Sequence, residues 1–264
     1  MTEPPSEHPP AAGSARRRVR LGRVAVDALT FDQALDAIAS LVADKRGGAV
    51  FTPNVDHVVM VDHDARFRDA YDAATLSLAD GMPILWGARL LGSPLPAKIS
   101  GSDLVMPLME RAARRGWRVY LLGGGPGVAA KAAEKLVERF PAIVIAGTDA
   151  PMLDMSAPAE GRAGVVARIR ETRPDLVLVC LGAPKQELFI AEVAPQLRPA
   201  VFLGVGAAVD FIAGTVRRAP RWMSDNGLEW LYRLAQEPRR MWRRYLLRDP
   251  EFALIVLRDL LRRR

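Results

Sequence analysis

One acidic residue is placed where a carboxylate could act on a substrate. Asp80 ends the apolar run TLSLAD and precedes Gly81, so it is predicted to lie where a strand gives way to a loop. In open α/β folds, ligands bind beyond the carboxyl ends of the strands, where a carboxylate can accept a proton from a bound hydroxyl group. The same residue could instead cap a helix that begins near Met82 and Pro83. On spacing alone, capping is the commoner role.

Two further polar residues follow a neighbouring strand end. Residues 49–52 (AVFT) predict a short strand that leads into a helix, and Thr52 and Asn54 lie at this junction. Taken alone, both would serve as turn and capping residues. Because the strand before Asp80 ends at the same kind of junction, the three side chains are predicted to lie near one another and to form a site.

A glycine-rich turn is the clearest supersecondary pattern in the chain. Residues 117–140 (WRVYLLGGGPGVAAKAAEKLVERF) predict a strand, a turn and an Ala-rich helix. Gly123, Gly124 and Gly125 would let the backbone approach a phosphate, to which the helix N-terminus offers amides. The dinucleotide pattern G-x-G-x-x-G, counted from Gly123, fails at Val128. Nucleotide binding is therefore indicated, but NAD is not specified.

The side chains that usually hold metal ions are sparse. Cys180 is the single cysteine, which excludes an intramolecular disulfide and a cysteine-based zinc cluster, and the run DLVLVCLG predicts a buried strand thiol. His57 and His63 are six residues apart, which does not place two imidazoles on one helical face. Asp62 and Asp64 form an Asp-x-Asp triplet that is predicted to lie within a helix and on its solvated surface. The sequence predicts no metal site.

Strands and helices alternate along the chain and position these residues. Residues 19–27 predict a first strand, and each later apolar segment ends in glycine or polar residues before a helix. DLVLVCLG (175–182) is apolar after its first residue and is predicted to be a central strand. The pattern predicts a three-layer, Rossmann-like α/β fold with a mostly parallel sheet over residues 19–216, preceded by a disordered tail, 1–18.

The net charge of +7 is concentrated at the two ends of the chain. Residues 217–264 hold thirteen Arg, no Lys and six acidic residues, whereas residues 24–216 have a net charge of −3. Trp222, Trp230 and Trp242 are interleaved with these arginines. This C-terminal basic helical appendage, residues 217–264, indicates an anionic partner such as phosphates, a membrane surface or nucleic acid, or else a solvated arginine face. No segment has about 18 uncharged apolar residues, so a cytoplasmic protein without a membrane-spanning helix is predicted.

Eight motifs follow one another along the chain. They are TPNVDH (52–57), LADGMP (78–83), SGSDL (100–104), LLGGGPG (121–127), LGAPKQE (181–187), GVGAAVDFIAG (204–214), RAPRWM (218–223) and GLEWLYRLAQEPRR (227–240). In this order they resemble the WecG/TagA/CpsF family of bacterial glycosyltransferases, glycosyltransferase family 26, and the resemblance covers about residues 24–245. Members transfer a sugar, often N-acetylmannosamine or its uronic acid, from a UDP donor to a polyprenyl-diphosphate-linked glycan at the inner membrane face.

The resemblance implies a role for each matching residue. Asp80 would be the general base of an inverting displacement, and Thr52 and Asn54 would act in substrate binding or catalysis. Gln186 is the polar position of LGAPKQE, and Lys98 stands where the family more usually has Arg. The resemblance further implies that arginines of the appendage approach the diphosphates, and the candidates by motif position are Arg218, Arg233 and Arg240.

The resemblance also implies the partners of the chain. These are a UDP-sugar donor, a polyprenyl-diphosphate-linked acceptor, the cytoplasmic membrane surface and other copies of the chain, with no nucleic acid and no required metal or other cofactor. The expected location is the cytoplasm, peripheral to the inner face of the membrane. Two alternatives stay open, a nicotinamide-dependent oxidoreductase, against which Val128 counts, and a non-catalytic module that binds membranes through the Arg and Trp residues of the appendage. The sequence does not identify the donor sugar.

Overall fold

The architecture is given by a computed structural model that describes residues 16–263, without the side chains of Arg221, Asp225 and Arg240. Within these residues the strands are β1 (Arg18–Leu21), β2 (Val24–Asp27), β3 (Gly48–Phe51), β4 (Leu76–Ser77), β5 (Arg118–Gly123), β6 (Val144–Asp149), β7 (Leu176–Cys180) and β8 (Val201–Gly204). The helices of the core are α1 (Phe31–Ala43), α2 (Val55–His63), α3 (Ala65–Asp72), α4 (Met82–Leu90), α5 (Gly101–Arg115), α6 (Val128–Arg139), α7 (Ala163–Thr172), α8 (Lys185–Val193) and α9 (Ala208–Ala213).

Six strands form a parallel sheet in the order β4-β3-β8-β7-β5-β6. Alternate residues of the inner strands enter two separate apolar layers. Phe51, Val179 and Phe202 pack on one side, and Val50, Leu178 and Leu203 pack on the other. Helices α2, α3, α7 and α8 cover the first face and α1, α5, α6 and α9 cover the second. The prediction of a three-layer α/β fold, with β7 in the interior of the sheet, is confirmed.

The first predicted strand is in fact a hairpin. β1 and β2 pair antiparallel, with Arg18 opposite Asp27 and Leu21 opposite Val24. Gly22 has φ +58°, which reverses the chain in a two-residue turn. The prediction of a single strand over residues 19–27 is wrong, because the apolar positions change phase at the turn, from Val19 and Leu21 to Val24 and Val26.

The helix that follows β3 is interrupted at Asp64. This residue has extended backbone dihedrals, and its carboxylate accepts hydrogen bonds from Arg66 N at 2.8 Å and Phe67 N at 3.2 Å, which begins α3. Asp62, at the end of α2, forms an ion pair with Arg258 at 2.8 Å. The prediction of one helix through the Asp-x-Asp triplet is therefore wrong, since α2 ends before Asp64 and Asp64 caps α3, whereas the exposed position predicted for Asp64 agrees with the structure.

The appendage contains α10 (Arg221–Asp225), α11 (Glu229–Gln236), α12 (Pro238–Arg243), a π-helical turn (Arg244–Arg248) and α13 (Glu251–Arg262). α13 returns to the core, where Phe252, Ile255 and Val256 are buried against α2, α4 and β1. In the described part of the chain, no helix combines the length and apolarity needed to cross a bilayer. Residues 1–15 of the predicted disordered tail lie outside the described residues.

Candidate active site

A pocket of about 360 Å³ lies between the carboxyl edge of the sheet and the appendage. We call it the Asp80 pocket. Its volume falls within the range of small-molecule sites. The core contributes Asn54, Asp80 and Lys98 to its lining, and the appendage contributes Glu229, Trp230, Arg233, Arg244 and Tyr245.

Backbone hydrogen bonds hold Asp80 at the mouth of the sheet. Beyond the end of β4, Leu78 N donates to Phe51 O at 2.8 Å and Asp80 N donates to Pro53 O at 2.9 Å. The chain then turns at Gly81, which has φ +99° and precedes α4. No side chain caps α4, so the capping role considered for Asp80 is wrong. Its carboxyl group is left to face the pocket.

The environment of Asp80 changes its acidity. Burial raises the pKa of its carboxyl group to about 7, and the negative charge of Glu229 adds to this effect. The positive charges of Arg233 and Lys98 oppose it. A carboxyl group with this pKa is a proton acceptor matched to reactions near neutral pH.

A chain of hydrogen bonds connects two cations at the pocket. Lys98 Nζ donates to Ser224 Oγ at 2.8 Å, and Ser224 Oγ donates to Glu229 Oε2 at 3.2 Å. Arg233 Nη2 donates to Glu229 Oε1 at 2.7 Å. Glu229 therefore holds a cation from the core and one from the appendage at the same site, and cations at fixed positions suit the oxygens of a diphosphate.

Asn54 has two functions in the structure. Its Oδ1 accepts a hydrogen bond from His57 N at 3.3 Å and thereby caps α2. The same oxygen accepts one from Arg244 Nη2 at 3.2 Å. Arg244 Nε also lies 3.2 Å from Asp56 Oδ2. Because Asn54 and Arg244 both line the Asp80 pocket, the start of α2 and the π-helical turn form one wall.

Thr52 and Gln186 do not line the Asp80 pocket. Thr52 follows β3, and Gln186 lies in the first turn of α8, after β7; these two strands flank β8. Thr52 is 6% exposed, and its Oγ1 donates to Gly204 O at 3.4 Å. Gln186 is 4% exposed, accepts from Gly206 N at 3.1 Å and donates to Glu187 Oε1 at 2.7 Å. Thr52 thus binds the end of β8 and Gln186 binds the loop after it, and direct contact of either side chain with a substrate stays a prediction.

The glycine-rich turn does not line the Asp80 pocket. Gly124 N donates to Cys180 O at 3.0 Å, so the turn is bonded to the end of β7. Gly123 has φ +111°, and a Cβ atom at this position would collide with the carbonyl group of Cys180. Close approach to a neighbouring strand therefore explains Gly123. Nucleotide binding by Gly123, Gly124 and Gly125 stays a prediction.

The three arginines predicted for the appendage have different positions. Arg233 lines the pocket. Arg218 lies outside the pocket lining and pairs with Asp103 at the start of α5. Arg240 falls among the residues whose side chains are not described. Glu229 and Arg244 were not predicted as site residues, although Glu229 lies in the GLEW segment of a family motif. The helices of the appendage carry charged residues on several faces, so the sequence does not indicate which charged side chains point into the pocket.

Within residues 16–263, no three His, Cys, Asp or Glu side chains are grouped so that they could hold a metal ion. Whether the reaction needs a metal stays a prediction. The positive charges observed around Asp80 come from Lys98, Arg233 and Arg244.

Comparison with known proteins identifies relatives along most of the chain. Residues 19–264 match the model of the Glycosyl transferase WecG/TagA/CpsF family. The N-acetylglucosaminyldiphosphoundecaprenol N-acetyl-beta-D-mannosaminyltransferase of Bacillus spizizenii is 33% identical over 214 residues, which cover 81% of this chain and 80% of that protein. The enzyme of the same name from Bacillus subtilis is 32% identical over 228 residues, 85% of each chain.

Proposed function

Because the chain belongs to the WecG/TagA/CpsF family of glycosyltransferases and is a hexosyltransferase of this kind, we propose that it moves an N-acetylmannosamine-type sugar from a UDP donor to a polyprenyl-diphosphate-linked acceptor. The acceptor class is supported by the names of the two Bacillus relatives, which specify a diphosphoundecaprenol-linked N-acetylglucosamine. The observation that carries the proposal is the half-buried Asp80 in a pocket with Lys98, Arg233 and Arg244.

In the proposed reaction, Asp80 is the general base. An acceptor hydroxyl oxygen attacks the anomeric carbon of the donor, the bond from that carbon to the UDP oxygen breaks, and the hydroxyl proton passes to the Asp80 carboxylate. UDP leaves with the bonding electrons. A single displacement of this kind inverts the anomeric centre. The pKa of about 7 lets Asp80 accept the proton and release it to water near neutral pH.

The cations of the pocket are proposed to bind the diphosphate groups of the donor and the acceptor. Negative charge develops on the diphosphate as UDP leaves, and positive charges already in position stabilise it without reorganisation. Ser224 holds Lys98 and Glu229 holds Arg233 at the pocket. Both positive charges are therefore in position before the donor binds. Arginine can bind two phosphate oxygens at once, whereas lysine acts as a point charge.

The two alternatives are less well supported. For the oxidoreductase, the glycine-rich turn lacks the dinucleotide pattern at Val128, and the relatives are transferases. A non-catalytic binding module would not need the Asp80 carboxyl group with a raised pKa that lies inside the pocket.

Peripheral binding of the appendage to the inner membrane surface and assembly with other copies of the chain remain parts of the proposal. Membrane binding would bring the pocket to a lipid-linked acceptor.

UDP release from a panel of UDP-sugars tests the proposal. The acceptor is a short-chain polyprenyl-diphosphate-linked N-acetylglucosamine, and each donor is assayed with and without it. We expect release with UDP-N-acetylmannosamine or a close relative that depends on the acceptor, together with a product whose mass has increased by one sugar residue. Oxidation of NADH by the chain, or an absence of sugar transfer across the whole panel, would count against the proposal.

A further inference from the structure

A cleft rich in arginine lies between the turn of the β1–β2 hairpin and the C-terminal end of α13, and we call it the arginine cleft. It encloses about 410 Å³. None of its lining residues lines the Asp80 pocket, so the two are separate sites. The charged side chains that line it are Arg20, Arg23, Arg258, Asp259, Arg262 and Arg263.

The two walls of the arginine cleft are bonded to each other. Gly22 N, in the hairpin turn, donates to Asp259 Oδ2 on α13 at 2.6 Å. Arg263 Nη1 donates to Leu91 O at 2.6 Å, and its Nη2 donates to Arg20 O at 3.4 Å. These bonds hold the hairpin and the end of α13 at a set separation. The cleft is therefore part of the folded structure rather than a run of basic residues along one helix.

The charges of the cleft are not balanced. Arg258 and Arg23 both pair with Asp62, at 2.8 Å and 3.3 Å. The Asp259 carboxylate accepts the backbone bond from Gly22. In the part of the chain that the structure describes, Arg20 and Arg262 have no acidic partner. Five guanidinium groups and two carboxylates leave an excess of three positive charges, which favours the binding of an anion.

We propose that the arginine cleft binds a phosphate-bearing ligand at a site distinct from the Asp80 pocket. The planar guanidinium group matches the geometry of phosphate oxygens and can donate two parallel hydrogen bonds to them. The phosphate can belong to the headgroup of an anionic lipid or to a soluble molecule. Leu254, Leu257 and Leu261 are exposed on one face of α13, beside the cleft arginines of that helix, so a lipid headgroup is compatible with the surroundings.

Two probes distinguish the sources of the phosphate. Inorganic pyrophosphate is titrated calorimetrically in the presence of excess UDP, which competes for the Asp80 pocket. Vesicles of phosphatidylglycerol with phosphatidylcholine are compared with vesicles of phosphatidylcholine alone in a sedimentation assay. The test variant is Arg20→Ala with Arg262→Ala, which removes the two arginines without an acidic partner. The control variant is Lys131→Ala with Arg139→Ala, which removes two exposed charges from α6, outside the cleft. Circular dichroism verifies that each variant is folded.

We expect the test variant to bind at least one of the probes about tenfold or more weakly than the wild type, and the control variant to bind both as the wild type does. If the test variant binds pyrophosphate more weakly, the ligand of the cleft is a soluble phosphate compound. If only its binding to the phosphatidylglycerol vesicles is weaker, the ligand is a lipid headgroup. Unchanged binding of both probes would overturn the proposal. So would equal losses in the test and control variants, since net charge alone would then explain them. Neither assay uses transferase activity, so the result does not depend on the proposed sugar transfer.

Discussion

The carboxylate of Asp56 and the guanidinium group of Arg244 connect the core to the appendage, with Asp56 Oδ2 3.2 Å from Arg244 Nε. Arg248 Nε lies 2.6 Å from the other oxygen of the same carboxylate. Asp56 is 4% exposed, so the positive charges of these two partners compensate its buried negative charge. Because Arg244 also donates to Asn54, this ion pair sets the position of one wall of the Asp80 pocket.

Replacement of Asp56 is predicted to loosen the appendage. Asp56→Asn keeps the size of the side chain but removes the charge that pairs with Arg244 and Arg248, and the loss of one partner from a buried ion pair is strongly destabilising. We expect trypsin to cleave within residues 217–263 at least about tenfold faster than in the wild type. Asp72→Asn, at the exposed end of α3, is the control. Equal cleavage of Asp56→Asn and the control would show that the pair does not hold the appendage.

Replacement of Asp80 is predicted to stabilise the fold at alkaline pH. Its pKa rises from 3.8 to about 7 in the folded protein, so the folded state binds the proton more tightly than the unfolded state. This group therefore contributes stability at low pH that is lost as the pH rises towards 7. At pH 8, Asp80→Asn removes a half-buried charge, and we expect the melting temperature to rise by on the order of 5 °C. At pH 4 the difference should nearly vanish, and a lower melting temperature at pH 8 would contradict the prediction.

The pH dependence of the reaction is predicted to respond to Glu229. Asp80 must be deprotonated to act as a base, so kcat/KM should fall as the pH drops below about 7. Glu229→Gln removes a negative charge that raises the pKa of Asp80, and the acid limb of the profile should move to lower pH. Glu134→Gln, exposed on α6, is the control. An acid limb that does not move in Glu229→Gln would show that this carboxylate does not act on Asp80.

Lys98 is predicted to contribute to the binding of the donor. Lys98→Ala removes a positive charge from the pocket, and we expect KM for the UDP-sugar to rise by about tenfold or more. Lys98→Arg keeps the charge and should recover most of this loss. Steady-state kinetics with a saturating acceptor measure both variants. If KM is the same in Lys98→Ala as in the wild type, Lys98 does not bind the donor.

Transfer is predicted to proceed without a divalent metal ion. Lys98, Arg233 and Arg244 supply positive charge where a metal would otherwise neutralise the diphosphate. We expect the same rate in EDTA as in Mg²⁺, measured as UDP release after dialysis against the chelator. A loss of about tenfold or more in EDTA that Mg²⁺ or Mn²⁺ restores would contradict this prediction.

Much of the fold could be predicted because its strands are short, apolar and followed by helices. Within the run DLVLVCLG, the residues of β7 (Leu176–Cys180) are all buried, as their composition indicated. The position of Asp80 next to Gly81 predicted a strand end, and the structure has this residue at the mouth of the sheet. The hairpin at Gly22 and the helix break at Asp64 were not predicted, because each depends on a single residue inside a run that was interpreted as one element.

The site was less predictable than the fold because half of the pocket comes from the appendage. Glu229 and Arg244 reach the pocket through the packing of α11 and the π-helical turn on the core, and no local pattern reports that packing. Thr52 was expected near Asp80 and Gln186 was a candidate from its motif, yet the side chain of Thr52 is buried against the end of β8 and that of Gln186 against the loop after it. Position at a strand end thus predicts the edge of the sheet but not whether a side chain faces the pocket or the interior.

The most direct test of the account is the rate of acceptor-dependent UDP release at pH 8 by the wild type, by Asp80→Asn and by the control Asp72→Asn. The account predicts that Asp80→Asn is slower by about a hundredfold or more, the usual scale for loss of a general base, while the control keeps the wild-type rate. An Asp80→Asn variant within about twofold of the wild type would contradict the central claim, since the acceptor would then lose its proton without this carboxylate.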